Sequence, residues 1–296
     1  MTDVLPVTVV VPTIGRHKLV SACLASVARC RPRAAEVLVM DQSRGTAVRA
    51  AVARLADDER FRVLELSRRS KPRALNVALR EAQNEIVLLT DDDCTVDVSW
   101  IAAAWAHLEA DPRAIVTGRV VPVGDPEGVP STIEDLDRRD YTGTLHYGAL
   151  YGNNMACNRS RVLDLGGFDE RFEAAEDNDL CYRWLRAGRP LRYEPDLLVW
   201  HHEWRASDEM RVLYRRYGHG QGLFYAKHLR RRDLHVVRFL ARDLYRGARG
   251  VAVYALRRGG EWPDPRLGLL RGLASGLVEG IRTPRSRDSQ DRGVVR

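Results

Sequence analysis

Over its first two-thirds the chain alternates strand and helix signatures in strict succession, and that order leaves few folds open. Val7–Val11 is an apolar, β-branched run closed by Pro12, which predicts a buried strand. His17–Cys30 follows, with Leu19, Val20, Cys23, Leu24 and Val27 at helical spacing. The pattern then repeats. Strands are predicted over Glu36–Met40, Phe61–Leu66 and Ile86–Leu89, and helices over Thr46–Leu55 and Arg73–Ala82, the latter opened by Pro72. Ser99 reads as the N-cap of a helix reaching Leu108, and Ile115–Val123 as a further strand. Units of this kind join parallel strands through helical crossovers. The predicted fold class is therefore α/β, with a doubly wound, mostly parallel sheet. Ligands of such sheets lie outside the carboxyl ends of the strands. Asp41 and the run Asp91-Asp92-Asp93 both fall at such ends.

The remainder is less regular. Asp125–Tyr147 is rich in Pro, Gly and charge and reads as a mobile connector. Leu180–Ala187 looks helical and stops at Gly188. Leu197–Trp200 looks like a strand, with His201-His202 directly after it. From Met210 onward the chain is helical, Arg-rich and punctuated by glycine, and no internal repeat is evident.

Charge divides the chain. Met210–Arg296 carries 20 Lys and Arg against 7 Asp and Glu, a net of +13, whereas the preceding residues carry 27 against 33, a net of −6. A basic appendage meeting an anionic surface is one reading. Leu234, Val237, Ala241, Leu244, Ala248, Val251 and Ala255 recur at helical spacing, with Arg238, Arg242, Arg246 and Arg249 on another face. Such a helix suits an anionic membrane surface. A helix packed on the rest of the protein with a solvated arginine face explains the pattern equally well. Gly247 and Gly250 count against its continuity. Zinc-finger spacing, an RNP-like aromatic motif and a helix-turn-helix are all lacking, so no nucleic-acid partner is expected. The five cysteines form no C-x-x-C pair and read as reduced thiols. The first residues have no basic n-region, and no apolar stretch is long enough to span a bilayer. A cytoplasmic protein is expected, with peripheral attachment to the inner face of the cell membrane if the basic helix docks there.

Asp91-Asp92-Asp93 carries the strongest chemical signal. Adjacent carboxylates repel, and a cation relieves that repulsion. Mn²⁺ and Mg²⁺ take oxygen ligands and are shared with substrate phosphates. A solvated acidic turn is the plain alternative for three aspartates alone.

Several strings, in order, resemble family 2 glycosyltransferases of the GT-A fold. They are Val9-Val10-Val11-Pro12-Thr13 with Arg16; Val37–Asp41 with Gln42-Ser43; and Lys71-Pro72-Arg73-Ala74-Leu75-Asn76. Further along come Asp91–Asp93 as a D-x-D motif, Gly152-Asn153-Asn154-Met155-Ala156, Gly166-Gly167-Phe168-Asp169-Glu170 and Glu176-Asp177-Asn178-Asp179-Leu180. The similarity covers about Val7 to His202. It implies a GT-A catalytic domain over 1–205, with a nucleotide-sugar half at about 1–123 and an acceptor half at about 148–205. A basic helical extension over 206–282 and a disordered tail over 283–296 would follow.

The resemblance also implies roles. Pro12 and Thr13, with Arg16, would form the loop under the base and ribose. Asp41 would bind the base, Asp91 the ribose, and Asp92 would lie beside them. Lys71, Arg73 and Asn76 would lie near the phosphates. Asp93 would hold the metal, completed by His201; His202 competes, because neighbours on a strand point to opposite faces. Asp177 would be the general base of an inverting, in-line transfer, with Glu176 and Asp179 as rivals and Asn154 on the acceptor side. Ion pairing at a helix start accounts equally simply for the three acids.

The donor would be a UDP, dTDP or GDP sugar, and the acceptor a hydroxyl of a glycan, lipid-linked or small molecule. Processive relatives carry Q-x-x-R-W and membrane spans. Tyr214-Arg215-Arg216-Tyr217-Gly218 stands in that place, which implies one sugar per event. A non-catalytic carbohydrate- or membrane-binding scaffold of the same fold is the alternative. A dinucleotide-dependent dehydrogenase would want G-x-G-x-x-G where Pro12-Thr13-Ile14-Gly15-Arg16 stands.

Overall fold

A computed structural model describes residues 3–55, 58–203, 207–257 and 265–283. The chain divides into two compact units, Met1–Met210 and Arg211–Arg296.

The first unit opens with the expected alternation: β1 (Val4–Thr13), α1 (His17–Arg29), β2 (Arg33–Asp41), α2 (Ala47–Ala53), β3 (Phe61–Glu65), α3 (Lys71–Glu81) and β4 (Ile86–Thr90). Then come β5 (Cys94–Val96), α4 (Trp100–Ala110), β6 (Ile115–Val123) and β7 (Arg139–Asp140). The unit closes with β8 (Asn154–Asn158), α5 (Arg159–Asp164), α6 (Glu176–Arg186) and β9 (Leu191–His202). These strands build one nine-stranded sheet in the order β3-β2-β1-β4-β8-β6-β9-β5, with β7 also on β9. β3, β2, β1, β4, β6 and β9 run one way; β8, β5 and β7 run the other. The sheet is thus mostly parallel, as expected.

Its two faces are covered by different apolar clusters. One gathers α1 and α4 over Val7, Val9 and Val11; the other gathers α3 and α6 over Val10, Leu38 and Leu89. Alternate residues of β1 feed opposite clusters, which is why its run is unbroken rather than alternating.

Three local expectations change. The antiparallel strand β8 lies between β4 and β6, a placement that spacing did not indicate. The connector after β6 is not wholly irregular: it contains a short 3₁₀ turn (Pro126–Gly128), strand β7, and a bridge from Ile133 to Val120. Ser99 does sit at the N-cap of α4 but its side chain makes no cap bond; it donates to Asp97 instead, at 2.6 Å. Gly188 ends α6 as expected, at φ +69°.

The second unit contains α7 (Ser207–Arg230) from Arg211 onward, α8 (His235–Arg257) and α9 (Pro265–Arg282). Gly268, Gly272, Gly276 and Gly280 recur every four residues on α9. That spacing lines one helix face. A Cβ on Gly272 would lie 2.1 Å from the Arg215 carbonyl oxygen, and one on Gly276 2.0 Å from that of His219. From α7, a Cβ on Gly218 would lie 2.0 Å from the Leu269 oxygen. The glycines therefore let the two backbones touch. α8 is continuous through Gly247, where an added Cβ would lie 2.5 Å from Leu270 of α9. The helix tolerates this glycine because it packs there. Among the described residues, no helix is long and apolar enough to cross a membrane.

Candidate functional site

The carboxyl ends of β1, β2 and β4 place the first group of side chains. Thr13 and Asp41 are register partners across β1 and β2. Asp41 is buried and accepts the Ser43 amide at 2.8 Å, closing the turn after β2. The Pro12–Arg16 loop is fastened by Asp92. Thr13 Oγ1 donates to Asp92 Oδ2 at 2.5 Å, Arg16 Nε lies 3.3 Å from the same oxygen, and Arg16 Nη2 donates to Oδ1. Burial pushes the Asp92 carboxyl up, against the opposing pull of Arg16. Asp92, read from the sequence as a donor contact, is 1% exposed. It instead braces the loop through Thr13 and Arg16.

Asp91 and Asp93 flank it. Lys71, at the start of α3, places its ammonium 2.7 Å from Asp91 Oδ1 and 2.8 Å from Oδ2, with Glu176 at 3.8 Å. Burial disfavours the Lys71 charge, but Asp91, Glu176 and Asp177 together outweigh it and raise the pKa. Arg73 gives the second amide of α3 to Ser70, which caps the helix, and its side chain is half-buried.

Asp93 Oδ2 lies 3.1 Å from Arg16 Nη1, and its Oδ1 lies 3.5 Å from His201 Nε2. Cys94 pairs with His201 across β5 and β9. Asp93, Cys94 and His201 offer ligand atoms within 4.8 Å of one another, all from buried residues. Burial pushes the Cys94 thiol well up, and the residue belongs to the apolar cluster under the sheet. His202 turns to the other face and meets Thr95 Oγ1 at 2.9 Å. Burial, and then the neighbouring His201, lower its pKa. Strand register thus turns the His201 ring toward Asp93 and the His202 ring toward Thr95.

The acidic helix start completes the site. Asp179 is wholly buried and bonds Arg183 at 2.7 Å, one turn on. It is an ion pair inside the protein and not a rival base. Glu176 is 7% exposed, and burial pushes its carboxyl up to about 7 despite Lys71. Asp177 is the most open of the three. Its Oδ1 accepts the Asn178 amide at 2.8 Å and its Oδ2 the Gly152 amide at 3.3 Å. Burial raises its pKa as well, with Lys71 opposing. The residue before this helix, Ala175, is held at φ +66°, a strained conformation for a non-glycine residue.

Two asparagines are corrections. Asn76 accepts the Phe168 amide at 2.8 Å and donates to the Phe168 carbonyl at 2.8 Å and to Glu170 at 3.0 Å. Asn154 accepts from Trp100 Nε1 at 2.9 Å and donates to the carbonyls of Arg119 and Leu197. Both amides are used in binding one segment of the fold to another, so neither faces a ligand. Asn153 and Cys94, by contrast, were not singled out from the sequence and lie against His201. The tandem Asn153-Asn154 was the available signal: both are buried, and adjacent residues point to opposite sides of the chain.

Residues 5–220 match the family described as Glycosyltransferase like family 2. The chain belongs to this family. Its fold is GT-A. Among curated proteins it is similar to the pre-mycofactocin glycosyltransferase of two Mycobacterium tuberculosis strains, 34% identical over 137 residues. The match takes in 43% of this chain but only 29% of those relatives' length. Among solved structures, the mannosyltransferase PcManGT from Pyrobaculum calidifontis, in complex with GDP-Man and Mn²⁺, superposes with a TM-score of 0.62 at 23% identity. It covers 94% of this chain and 87% of that one. TarS of S. aureus, in complex with UDP-GlcNAc, gives a TM-score of 0.56 at 18% identity, over 76% and 72% of the two chains.

Proposed function

We propose that this family 2 glycosyltransferase moves one sugar from a nucleotide sugar to an acceptor hydroxyl, with inversion at the anomeric carbon and with a divalent cation, Mn²⁺ or Mg²⁺. The catalytic part is residues 1–205, with the donor half before about 123 and the acceptor half after about 148. The observation that carries the reading is the meeting of two groups of residues at one end of the sheet. Asp91, Asp93 and Lys71 come from β4 and α3; Asp177, Glu176 and His201 come from α6 and β9.

The donor set fits the cation. A carboxylate oxygen and an imidazole nitrogen 3.5 Å apart are spaced as two ligands each about 2.1 Å from one ion would be. Asp93 and His201 would hold it, and its chemistry is to offset the charge of the departing diphosphate. The chain's own groups do the rest. Thr13 and Asp41 line the place of the nucleoside, and the Asp92 brace keeps that loop in position before donor arrives. Lys71 holds Asp91 in place and supplies a cation beside the phosphates. Asp177 takes the proton of the acceptor hydroxyl as the new bond forms.

A thermal-shift screen of UDP, dTDP and GDP sugars tests the donor. One of them is expected to raise the melting temperature, and to do so more with Mn²⁺ than with EDTA. No shift with any of them would favour a scaffold of the same fold.

A lipid-linked acceptor, reached from the membrane surface, is supported by α8. The helix buries Val236 and Phe239, while Val237, Ala241, Leu244, Tyr245 and Ala248 are exposed, as is Leu234 just before it. The side chain of Ala255 lies outside the described residues. The apolar stripe read from the sequence thus points outward, with Arg238, Arg246 and Arg249 exposed along its border. Replacing these three arginines by Gln should weaken binding to anionic vesicles about a hundredfold, at about 1 kcal/mol per residue. Vesicle sedimentation at rising salt checks this; equal binding to neutral and anionic vesicles would count against it.

A further inference from the structure

Asn153 lies just before β8 with its side chain buried, only 3% exposed. Its Nδ2 is 3.4 Å from the Ser131 carbonyl oxygen and 3.5 Å from His201 Nδ1. Its Oδ1 is buried and has no hydrogen-bond partner among the described residues. Buried amide oxygens are rarely left so. The orphan sits beside the imidazole of His201, which also faces Asp93.

A neutral imidazole carries one proton, and what one nitrogen does decides what the other offers. With Nδ2 of Asn153 donating to Nδ1, the His201 proton is on Nε2, which then faces Asp93 Oδ1 at 3.5 Å. In that state Nε2 has no lone pair for a cation. A half-turn of the Asn153 amide exchanges two groups of nearly equal size, so the surrounding packing need not move. Oδ1 then accepts the Nδ1 proton, the orphan gains its donor, and the Nε2 lone pair is directed at Asp93. In exchange, Nδ2 gives up the long contact to Ser131 and takes the position where Oδ1 has no partner.

We propose that Asn153 is a positioning residue that sets the tautomer of His201. It donates to Nδ1 when Nε2–H faces Asp93, and accepts from Nδ1–H when Nε2 binds a divalent cation. This rests on the metal-dependent reading above. Partners of this kind hold the ring and raise its basicity as a ligand.

The test uses the full chain without donor or acceptor. Mn²⁺ affinity is measured directly by electron paramagnetic resonance of the free ion, and the His201 tautomer by ¹⁵N shifts of labelled histidine. Asn153→Ala should weaken Mn²⁺ binding about 10–100-fold. Asn153→Asp, which can only accept, should bind Mn²⁺ at least as tightly as the unaltered protein. It should also carry the His201 proton on Nδ1 before any metal is added, where the unaltered protein carries it on Nε2. A merely structural asparagine would not move the tautomer in this direction. Unaltered Mn²⁺ affinity and tautomer in both variants would overturn the inference while leaving the metal site standing. Failure of the unaltered protein to bind Mn²⁺ would overturn the metal reading itself. Should Asn153→Ala not fold, the near-isosteric Asn153→Asp decides alone.

Discussion

Asp177→Asn is expected to slow sugar transfer by about 10²–10⁴-fold, the usual share of a general base. An acceptor hydroxyl is a weak nucleophile at neutral pH, so its proton must leave as the bond to the anomeric carbon forms. The Asn side chain keeps the size of Asp177, and its single oxygen can still accept one of the two amides, that of Asn178 or that of Gly152. It cannot take the proton. The loss should therefore appear in kcat, with donor affinity nearly unchanged because Asp41 and Asp93 are untouched.

The pH profile should agree. A base works ionised, so the rate falls as pH drops through its pKa. Burial raises that pKa, and the acid limb should lie above the ordinary aspartate range. This limb should be absent from what activity Asp177→Asn retains. The product, read by NMR, should have the opposite anomeric configuration to the donor. Near-normal turnover in Asp177→Asn would move the role to Glu176, and retention of configuration would overturn the single in-line displacement itself. Asp179 is excluded as the substitute by its buried pairing with Arg183.

Asp93→Ala should reduce turnover on the order of 10³-fold or more, since charge stabilisation of the leaving diphosphate is worth several kcal/mol. EDTA should have the same effect on the unaltered protein and none on the variant. Stability should change little, because three neighbouring carboxylates repel and Arg16 retains Asp92 as its partner. Circular dichroism and a melting curve check the fold, and nucleotide binding with and without Mn²⁺ checks the linkage. In Asp93→Ala, Mn²⁺ should no longer tighten nucleotide binding. Activity indifferent to both EDTA and Asp93→Ala would show the cation to be misassigned.

Local pattern made the donor-side elements legible. β1, α1, β2, β3, α3 and β4 each follow from a short run of residues, because apolar periodicity and breakers act within a few residues of themselves. The acidic run could be placed at a strand end for the same reason. That these strands run parallel followed too, since helical crossovers join parallel strands, but their order in the sheet did not.

What the pattern left open concerned contacts between distant parts of the chain. Whether His201 or His202 faces Asp93 is a question of register between β9 and β5, a pairing across about a hundred residues. Asn76 and Asn154 looked like ligand-binding residues in sequence because a buried polar group that ties two segments together has the same residue type as one that awaits a ligand. Only their partners, Phe168 for the first and Trp100 for the second, distinguish the cases. Gly247 of α8 gave the complementary error. Read alone it weakens a helix; in the fold α8 runs through it and packs there against Leu270 of α9. On α8, spacing alone identified an apolar stripe, but only the packing of Val236 and Phe239 decided that this stripe faces outward. Sequence determined which segments are strands and helices and which residues carry charge, because those depend on neighbours along the chain. Tertiary structure decided which charged and polar groups remain available for chemistry, because that depends on partners brought together by the fold.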